Sequence, residues 1–312
     1  MMRIATWMHV FGMLALSLVI VGQRKPVVTA AAPDCPLEQE NYTLEAQPKE
    51  TMRFAVIGDF GTTGKNEQSV AEMVSTWKPE FIVTTGDNNY ALGLAETIDP
   101  NIGQYYHAYI GHYSGTYGEG SQDNRFFPSL GNHDWGVGSA GPYLNYFTLP
   151  GNERYYRMVQ GSVEFFMLDS DTREPDGVSS DSIQGKWLQS ALADSKAIYK
   201  VVVFHHPSYS SAEHGSSDWM QWPFAKWGAT LVLNGHDHVY ERIVKDGFPY
   251  MVDGAGGHSL YAFKTPVEGS EVRYNCDYGA LLVDVTDKAM TLRFITIHAG
   301  LVDTFTIEAK TH

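Results

Sequence analysis

The stretch from Leu231 to Arg242, LVLNGHDHVYER, ends a short apolar run with two histidines separated by one residue. In an extended backbone, side chains two residues apart point to the same face, so His236 and His238 can aim two imidazoles at one point. A metal site needs that arrangement, although two histidines on a surface turn would give the same pattern. The interpretation therefore depends on what the rest of the chain supplies.

The composition is that of a globular protein without a large basic surface. The chain has 312 residues, of which 43% are hydrophobic and 13% aromatic, which is enough for a sizeable core. The formal net charge of -14 argues against nucleic acid or an anionic membrane surface as the main partner, because phosphate backbones favour clustered Lys and Arg. Any phosphate that the protein binds must be held by local groups.

The N-terminus has the features of a secretory signal. Arg3 precedes an apolar run from Val10 to Val21, and small residues follow it. We therefore expect residues 1–30 to be a signal peptide that directs secretion or delivery to a lysosome-like compartment. Two basic residues just after the run leave an uncleaved membrane anchor as the alternative. Residues 31–51 are polar and contain prolines, which predicts an exposed arm.

Two further features depend on the compartment. Cys35 and Cys276 are the two cysteines of the chain, and they could pair in an oxidising compartment or remain independent thiols. Asn41 opens the single N-x-S/T sequence, which accepts a glycan only in a eukaryotic secretory pathway. The sequence leaves both questions open, and it leaves the oligomeric state open as well.

The apolar pattern predicts an α/β domain that begins near Met52. Buried strands are expected at RFAVIGD, FIVTTGD, VEFFMLD, KVVVFHH and ATLVLNGHDH. Residues 66–77 and 182–196 carry apolar side chains at helical spacing, the second group behind Asp181 as a capping candidate. Strands that alternate with helices predict a sheet buried on both faces. Beyond Tyr250, the stretches GALLVDV and MTLRFITI predict that the C-terminal part completes a second sheet.

Five of these segments present ligand-type residues directly after an apolar run or at a tight glycine turn. They are Gly58-Asp59, Gly86-Asp87-Asn88-Asn89-Tyr90, Gly131-Asn132-His133-Asp134, His205-His206-Pro207 and Gly235-His236-Asp237-His238. Ligands bind at the carboxyl ends of strands in open α/β sheets, so these residues can converge in space. Glycine before an acidic residue or histidine allows a sharp turn. Together the five segments predict a site for hard or borderline metal cations.

In this order, GDFG, GDNNY, GNHD, VVVFHHP and GHDH resemble the metallophosphoesterases of the calcineurin-like superfamily, over about residues 52–257. A tyrosine at the position of Tyr90 resembles the pattern of the purple acid phosphatase branch. The stretch SAEHG at residues 211–215 resembles the small, tartrate-resistant type of that branch. The resemblance implies a four-layer α/β/β/α sandwich of two mixed sheets flanked by helices. It also implies a single catalytic domain at residues 52–312.

The resemblance implies a binuclear metal centre in which Asp87 bridges two metals. Asp59, Tyr90 and His238 would complete the protein ligands of the first metal, and Asn132, His205 and His236 those of the second. Related phosphodiesterases carry a histidine ligand where this chain has Gly61, and Tyr90 replaces it. A phenol has an ordinary pKa near 10, so a phenolate ligand at acid pH requires a strongly Lewis-acidic cation. Fe(III) meets that requirement, and the second position suits Fe²⁺, Zn²⁺ or Mn²⁺.

Two such cations can bind phosphate oxygens, generate a hydroxide from water and stabilise an in-line displacement. We expect an acid phosphatase that hydrolyses phosphate monoesters, fastest below neutral pH. The resemblance assigns His133 to the substrate phosphate and His214 to general acid catalysis, since imidazoles titrate near pH 6.5 and are protonated at acid pH. Two alternatives stay open. One is a phosphodiesterase, nucleotidase or phosphoprotein phosphatase on the same fold, and the other is a secreted iron-binding or redox protein.

Other side chains are predicted to play no direct part in metal binding or catalysis. Surface, core or packing positions are expected for His107, His112, His258, His298, Trp219, Trp222 and Trp227. His206 is expected to point away from the metals, because side chains alternate along an extended segment. Asp134 and Asp237 are candidates for orienting their neighbours. The loop at residues 111–120 lacks the Lys-Ser/Thr ending of a phosphate-binding loop, which favours a surface loop.

Overall fold

The computed structural model describes residues 42–44, 46–47, 50–298 and 300–310. The signal peptide at residues 1–30, most of the arm at residues 31–51, and the glycan acceptor Asn41 lie outside the described residues, so these predictions stay open. Cys276 is disulfide-bonded, and the other cysteine of the chain, Cys35, also lies outside the described residues. Among the residues described, no helix has the length and apolarity to cross a bilayer.

The first sheet has six strands and mixes parallel with antiparallel pairing. Their spatial order is β13 (Leu301–Glu308), β12 (Ala289–Thr296), β11 (Gly279–Val285), β1 (Met52–Ile57), β2 (Phe81–Thr84) and β3 (Phe126–Pro128). Strands β1, β2 and β3 are parallel, and β11 pairs antiparallel with β1. The C-terminal strands β11–β13 therefore complete the first sheet. Two sheets are present, as predicted, but the C-terminal stretches share a sheet with the first predicted strand, because β1 pairs with β2 on one edge and the backbone groups of its other edge are satisfied by β11.

The second sheet has seven strands around a parallel centre. Their spatial order is β10 (Ser270–Tyr274), β8 (Tyr240–Lys245), β9 (Phe248–Asp253), β7 (Leu231–Asn234), β6 (Tyr199–Val203), β5 (Val163–Met167) and β4 (Tyr156–Gln160). Strands β5, β6, β7 and β9 are parallel, and the flanking strands are antiparallel to their neighbours. The five strands predicted from the sequence are thus β1 and β2 in the first sheet and β5, β6 and β7 in the second.

The helices are few and mostly short. They are α1 (Lys65–Trp77), α2 (Ala95–Ile98), α3 (Gln104–Tyr106), α4 (Gly141–Tyr146), α5 (Ile183–Asp194) and α6 (Phe224–Trp227), with a π-helical turn at Asp99–Gly103 and 3₁₀ turns at His107–Tyr109 and Asp218–Met220. Helices α1 and α5 are the two predicted ones. The cap of α5 is Ser182, whose Oγ accepts a hydrogen bond from the Gly185 amide at 3.0 Å. The predicted cap, Asp181, instead accepts a hydrogen bond from the Ser179 hydroxyl, one residue too early to reach that amide.

The two sheets pack face to face through aromatic side chains. Phe54 of β1 stacks on Phe81 of β2 with ring centroids 4.9 Å apart, and Phe165 of β5 meets both rings edge-on at 5.3 and 5.7 Å. The next residue, Phe166, points to the opposite face and packs with Leu188 of α5 in a second core. Strand β5 is therefore buried on both faces, as a strand between a sheet and a helix layer must be. The four-layer α/β/β/α sandwich is confirmed.

Candidate metal centre

The seven residues predicted to bind metal all lie in loops that follow strands. Asp59 follows β1, Asp87 and Tyr90 follow β2, Asn132 follows β3, His205 follows β6, and His236 and His238 follow β7. The first four residues come from one sheet and the last three from the other. Because β1–β3 and β5–β7 each run parallel, their carboxyl ends lie at one edge of each sheet, and the site forms where those two edges meet.

The first set of donor atoms surrounds the hydroxyl of Tyr90. Its Oη lies 3.0 Å from Asp59 Oδ1, 3.1 Å from Asp87 Oδ2 and 3.1 Å from His238 Nε2. His238 Nε2 is also 3.4 Å from Asp59 Oδ1. Ligand atoms about 2 Å from a common cation are separated by distances of this order. The four side chains therefore have the spacing of one metal-binding set.

The second set of donor atoms surrounds His205. Its Nε2 lies 3.0 Å from Asn132 Oδ1, 3.2 Å from Asp87 Oδ2 and 3.2 Å from His236 Nδ1. Candidate ligand atoms of Asp87, His205 and His236 all lie within 4.8 Å of one another. Asp87 Oδ2 belongs to both sets, which is the position that a bridging carboxylate would take.

Hydrogen bonds that two histidines donate to backbone carbonyls fix the tautomers of their neutral rings. The Nδ1 atoms of His205 and His238 lie 2.9 and 2.7 Å from the carbonyl oxygens of Thr85 and Ser259, respectively. A carbonyl oxygen only accepts, so each Nδ1 carries a hydrogen, and in the neutral ring each Nε2 faces the cluster with its lone pair. This is the arrangement that neutral histidine ligands require.

In each of the two carboxylates, one oxygen accepts a backbone hydrogen bond and the other faces the cluster. Asp59 Oδ2 accepts a hydrogen bond from the amide of His236 at 2.9 Å, and Asp87 Oδ1 accepts one from the amide of His133 at 2.8 Å. Their other oxygens face Tyr90. Each bond also joins a loop of one strand to the loop of another, so the ligands hold one another in place.

The buried carboxylates of the cluster need positive charge close to them. Burial raises the pKa of Tyr90 well above its usual value, and the carboxylates of Asp59 and Asp87 raise it further. Burial also opposes charge on His205, but Asp87 and Asp59 outweigh it and raise the pKa of His205 to about 10. Burial would likewise raise the pKa of Asp87, yet His205 and His133 keep it well below the usual range. Buried carboxylates that stabilise positive charge on a neighbouring imidazole are suited to hold cations.

Three of the ligand-type residues have left-handed backbone conformations. The φ angles of Asp59, Asp87 and His236 are 55°, 52° and 70°. Such angles are uncommon outside glycine and cluster at functional sites. Of the glycines that precede the ligands, Gly86 has a positive φ angle of 99°, whereas Gly58, Gly131 and Gly235 do not. At three of the turns the residue after the glycine therefore has the left-handed conformation.

The role of the other glycines is to leave space. A Cβ atom on Gly131 would lie 2.2 Å from Asp87 Oδ1, and one on Gly235 would lie 2.5 Å from Asp59 Oδ2. Real Cβ atoms do not approach other atoms so closely. These glycines therefore allow neighbouring loops to come near enough for their ligands to share a site.

The two histidines assigned to catalysis lie beside the cluster and reach solvent. The side chain of His133 is 34% exposed, and its ring centroid is 4.4 Å from that of Tyr90. Its Nδ1 is 2.5 Å from the carbonyl oxygen of Ala91. The exposed ring of His214 stacks on His236, with centroids 4.3 Å apart and planes inclined by 27°. Both imidazoles are placed where they can meet a molecule that enters the site.

The two aspartates proposed to orient neighbours connect the loops of the site. Asp237 accepts hydrogen bonds from the amides of His214 at 2.8 Å and Gly215 at 3.0 Å, and from the hydroxyl of Ser210. Asp134 accepts bonds from the amide and side chain of Asn88, next to Asp87, and from the amide of Gly131. These contacts agree with an orienting role, and they hold the His214 loop against the turn that carries His236.

Three aromatic side chains at the site were not anticipated. His258 stacks on Tyr90 with centroids 4.2 Å apart, and Tyr261 stacks on His238 at 4.0 Å. The ring centroids of His206 and His236 are 4.5 Å apart. The His206 ring therefore lies beside the cluster and does not point away from the cluster. Burial lowers the pKa of His206 to about 3. The sequence held a signal for His258, because it lies in the loop after β9, at a further carboxyl end of a parallel strand.

A substitution pair tests whether the space beside Asp87 matters. Gly131→Ala places a methyl group against Asp87, whereas the Cβ of Gly141→Ala would lie 3.4 Å from its nearest neighbour, Ser139 Oγ. We expect Gly131→Ala to lower metal affinity about 10- to 100-fold and Gly141→Ala to leave it unchanged. Metal bound per chain, measured by mass spectrometry after equilibration at stated free metal concentrations, checks this. Equal affinity in the two variants would contradict the account.

Comparison with known proteins agrees with this site. The profile of the family described as "Calcineurin-like phosphoesterase" matches residues 52–240. Purple acid phosphatase 17 of Arabidopsis thaliana is 28% identical over 266 residues, which cover 74% of this chain and 75% of that protein. Tartrate-resistant acid phosphatase type 5 of Homo sapiens is 25% identical over 289 residues, which cover 78% of this chain and 87% of that protein.

Solved structures with the same fold include GAP50, described as the anchor in the inner membrane complex of Plasmodium. It superposes with a TM-score of 0.65 at 20% identity and covers 84% of this chain and 90% of its own. The purple acid phosphatase PPD1 from yellow lupin seeds also gives 0.65, at 18% identity, over 83% of this chain and 54% of its own. The family profile covers more than half of the sequence, including the site. The chain belongs to the calcineurin-like phosphoesterase family.

Proposed function

We propose that the protein is a binuclear-metal acid phosphatase that hydrolyses phosphate monoesters. The observation that carries the proposal is the position of Asp87 Oδ2, which lies 3.1 Å from Tyr90 Oη in one donor set and 3.2 Å from His205 Nε2 in the other. A carboxylate in that position is suited to join two cations. The purple and tartrate-resistant acid phosphatases among its relatives support the reaction class.

The donor chemistry supports a different metal in each set. Asp59, Asp87, Tyr90 and His238 would hold Fe(III), and Asp87, Asn132, His205 and His236 would hold Fe²⁺, Zn²⁺ or Mn²⁺. Because burial and two carboxylates raise the pKa of Tyr90, only a strongly Lewis-acidic cation can replace its proton at acid pH. The second set adds only neutral donors to the shared carboxylate. When bound, the two cations supply the positive charge that attracts phosphate and makes water nucleophilic.

Two histidines have roles in the hydrolysis itself. We assign His133 to the substrate phosphate, because its Nδ1 donates to the Ala91 carbonyl and fixes the ring, and the doubly protonated ring can then donate a second hydrogen bond from Nε2 to a phosphate oxygen. We assign His214 to the leaving group. As water attacks phosphorus and the bond from phosphorus to the ester oxygen breaks, the His214 imidazolium donates its proton to that oxygen. The products are inorganic phosphate and an alcohol.

Two other functions stay in view. Hydrolysis of phosphodiesters, nucleotides or phosphoproteins would use the same candidate ligands. A non-catalytic iron-binding or redox protein is the second alternative, and one structural neighbour, GAP50, is described as an anchor. Two solvent-accessible histidines beside a complete ligand set favour the enzyme. Secretion is part of the proposal and rests on the sequence of residues 1–30.

The reaction class is tested by direct comparison of substrates. The protein loaded with iron and zinc should hydrolyse 4-nitrophenyl phosphate with a kcat/KM at least about tenfold above that for bis(4-nitrophenyl) phosphate, and faster at pH 5 than at pH 8. A higher kcat/KM for the diester would show that the protein is a phosphodiesterase and not a monoesterase. Turnover of neither ester above the uncatalysed rate would remove the enzyme assignment.

The ferric site is tested by the visible spectrum. Iron bound to the Tyr90 phenolate should give a purple absorbance, which should disappear in Tyr90→Phe because the charge-transfer partner is lost. Tyr261→Phe is the matched control, since Tyr261 packs on ligand His238 without lying in either donor set. It should keep the colour. A colourless wild-type protein that contains two zinc ions per chain would contradict the ferric assignment.

The role of His214 is tested by the dependence of the rate on the leaving group. A general acid contributes about 10²- to 10⁴-fold, and it matters most for alkoxide leaving groups that need a proton. We expect His214→Ala to lower kcat for glycerol phosphate at least about tenfold more than kcat for 4-nitrophenyl phosphate. His298→Ala, at a side chain that is 81% exposed, is the control. An equal loss on both esters would show that His214 is not the acid.

A further inference from the structure

Trp219 is an exposed tryptophan close to the metal cluster. Its side chain is 41% exposed, whereas Trp77, Trp135 and Trp222 are at most 7% exposed. It lies in the short 3₁₀ turn Asp218–Met220, which belongs to the loop after His205. The sequence pattern alone predicts a packing role for Trp219. An indole that leaves two fifths of its surface in water is instead available to contact a ligand.

Trp219 is held in one orientation. Its Nε1 donates a hydrogen bond to the carbonyl oxygen of Ser170 at 3.1 Å, and its own carbonyl oxygen accepts one from Trp222 Nε1 at 2.8 Å. The ring also packs against His206, with centroids 5.6 Å apart. His206 is fixed in turn by Ser170, whose Oγ lies 2.9 Å from His206 Nδ1. The indole is therefore a preorganised surface, which loses little entropy when a ligand binds.

The indole is linked to the proposed general acid through two histidine rings and through the loop that carries both residues. His214 and His206 both pack on His236, with centroid distances of 4.3 and 4.5 Å, and Trp219 packs on His206. Trp219 is also five residues after His214 on the same loop. That loop is anchored at both ends, by the His214 amide on Asp237 and by backbone bonds near the 3₁₀ turn.

We propose that Trp219 forms a subsite for the leaving group, and that this subsite binds a flat aromatic ring of the alcohol portion of the ester. The inference rests on the proposed function. The phosphate lies at the metal ligands, and the oxygen that receives the proton faces His214. The organic group on that oxygen must extend along the His214 loop, where the indole offers an exposed aromatic face. Aromatic rings stack favourably on such a surface.

The cation that follows the Ser170 segment in the chain does not offer an ionic alternative to stacking. Arg173 lies on the adjoining loop, and its guanidinium is paired with Asp171 at 2.7 Å. It also donates to the carbonyl oxygens of Trp135 and Asn132. Its charge is therefore compensated and most of its donors are in use. The subsite should select a leaving group by ring stacking and not by negative charge.

The test compares esters with and without an aromatic ring. Phenyl phosphate and adenosine 5′-monophosphate carry one, and glycerol phosphate does not. Because stacking acts equally in the bound substrate and the transition state, Trp219→Ala should raise KM for an aromatic ester about tenfold and leave kcat nearly unchanged. KM for glycerol phosphate should not change. Trp219→Phe, which keeps a ring without the Nε1 donor, should restore most of the affinity for the same aromatic ester.

The outcomes separate this inference from the proposed function. If KM rises equally for all three esters, or for none, in Trp219→Ala, the subsite is wrong while the phosphatase assignment stands. If the wild-type protein hydrolyses none of the three esters, the proposed function fails and the subsite fails with it. Metal bound per chain is measured in each variant, and a loss of metal in Trp219→Ala that accounts for its kinetic change would also overturn the inference.

Discussion

A carboxylate buried between two groups of ligand atoms must be compensated by positive charge, and the surroundings of Asp87 are built around that need. One of its oxygens accepts the amide hydrogen of His133, and the other lies between Tyr90 and His205. The side chain is 1% exposed, so water cannot screen it. Loops from both sheets converge on this group, which explains why ligands so distant in sequence share one site.

The sandwich supplies the rigidity that this convergence requires. Left-handed backbone at Asp59, Asp87 and His236 is unfavourable for residues that carry a Cβ atom, and it persists only where the surroundings fix it. The two sheets pack on each other through Phe54, Phe81 and Phe165, and the first two lie in the strands that carry two of these loops. Rigid strands therefore hold strained loop ends, while the accessible histidines are free to meet a substrate.

The sequence predicted the elements that obey local patterns and missed what depends on tertiary pairing. Buried strands and two helices follow from apolar spacing, and the convergence of the candidate ligands follows from their positions at strand ends. Local sequence patterns could not predict the pairing of β11 with β1, because this pairing joins residues more than 200 positions apart. The ring contacts of His206 and His258 were missed for the same reason. Their partners, His236 and Tyr90, come from other loops, and alternation along one strand says nothing about them.

The central claim is that Asp87 joins two different cations, and anomalous X-ray scattering from crystals of the metal-loaded protein tests it most directly. Data collected at the absorption edges of iron and of the second metal would locate each ion. The account predicts two ions, each about 2.0–2.2 Å from a carboxylate oxygen of Asp87, with iron on the side of Tyr90 and His238. A single ion, or iron on the side of His205 and His236, would contradict it.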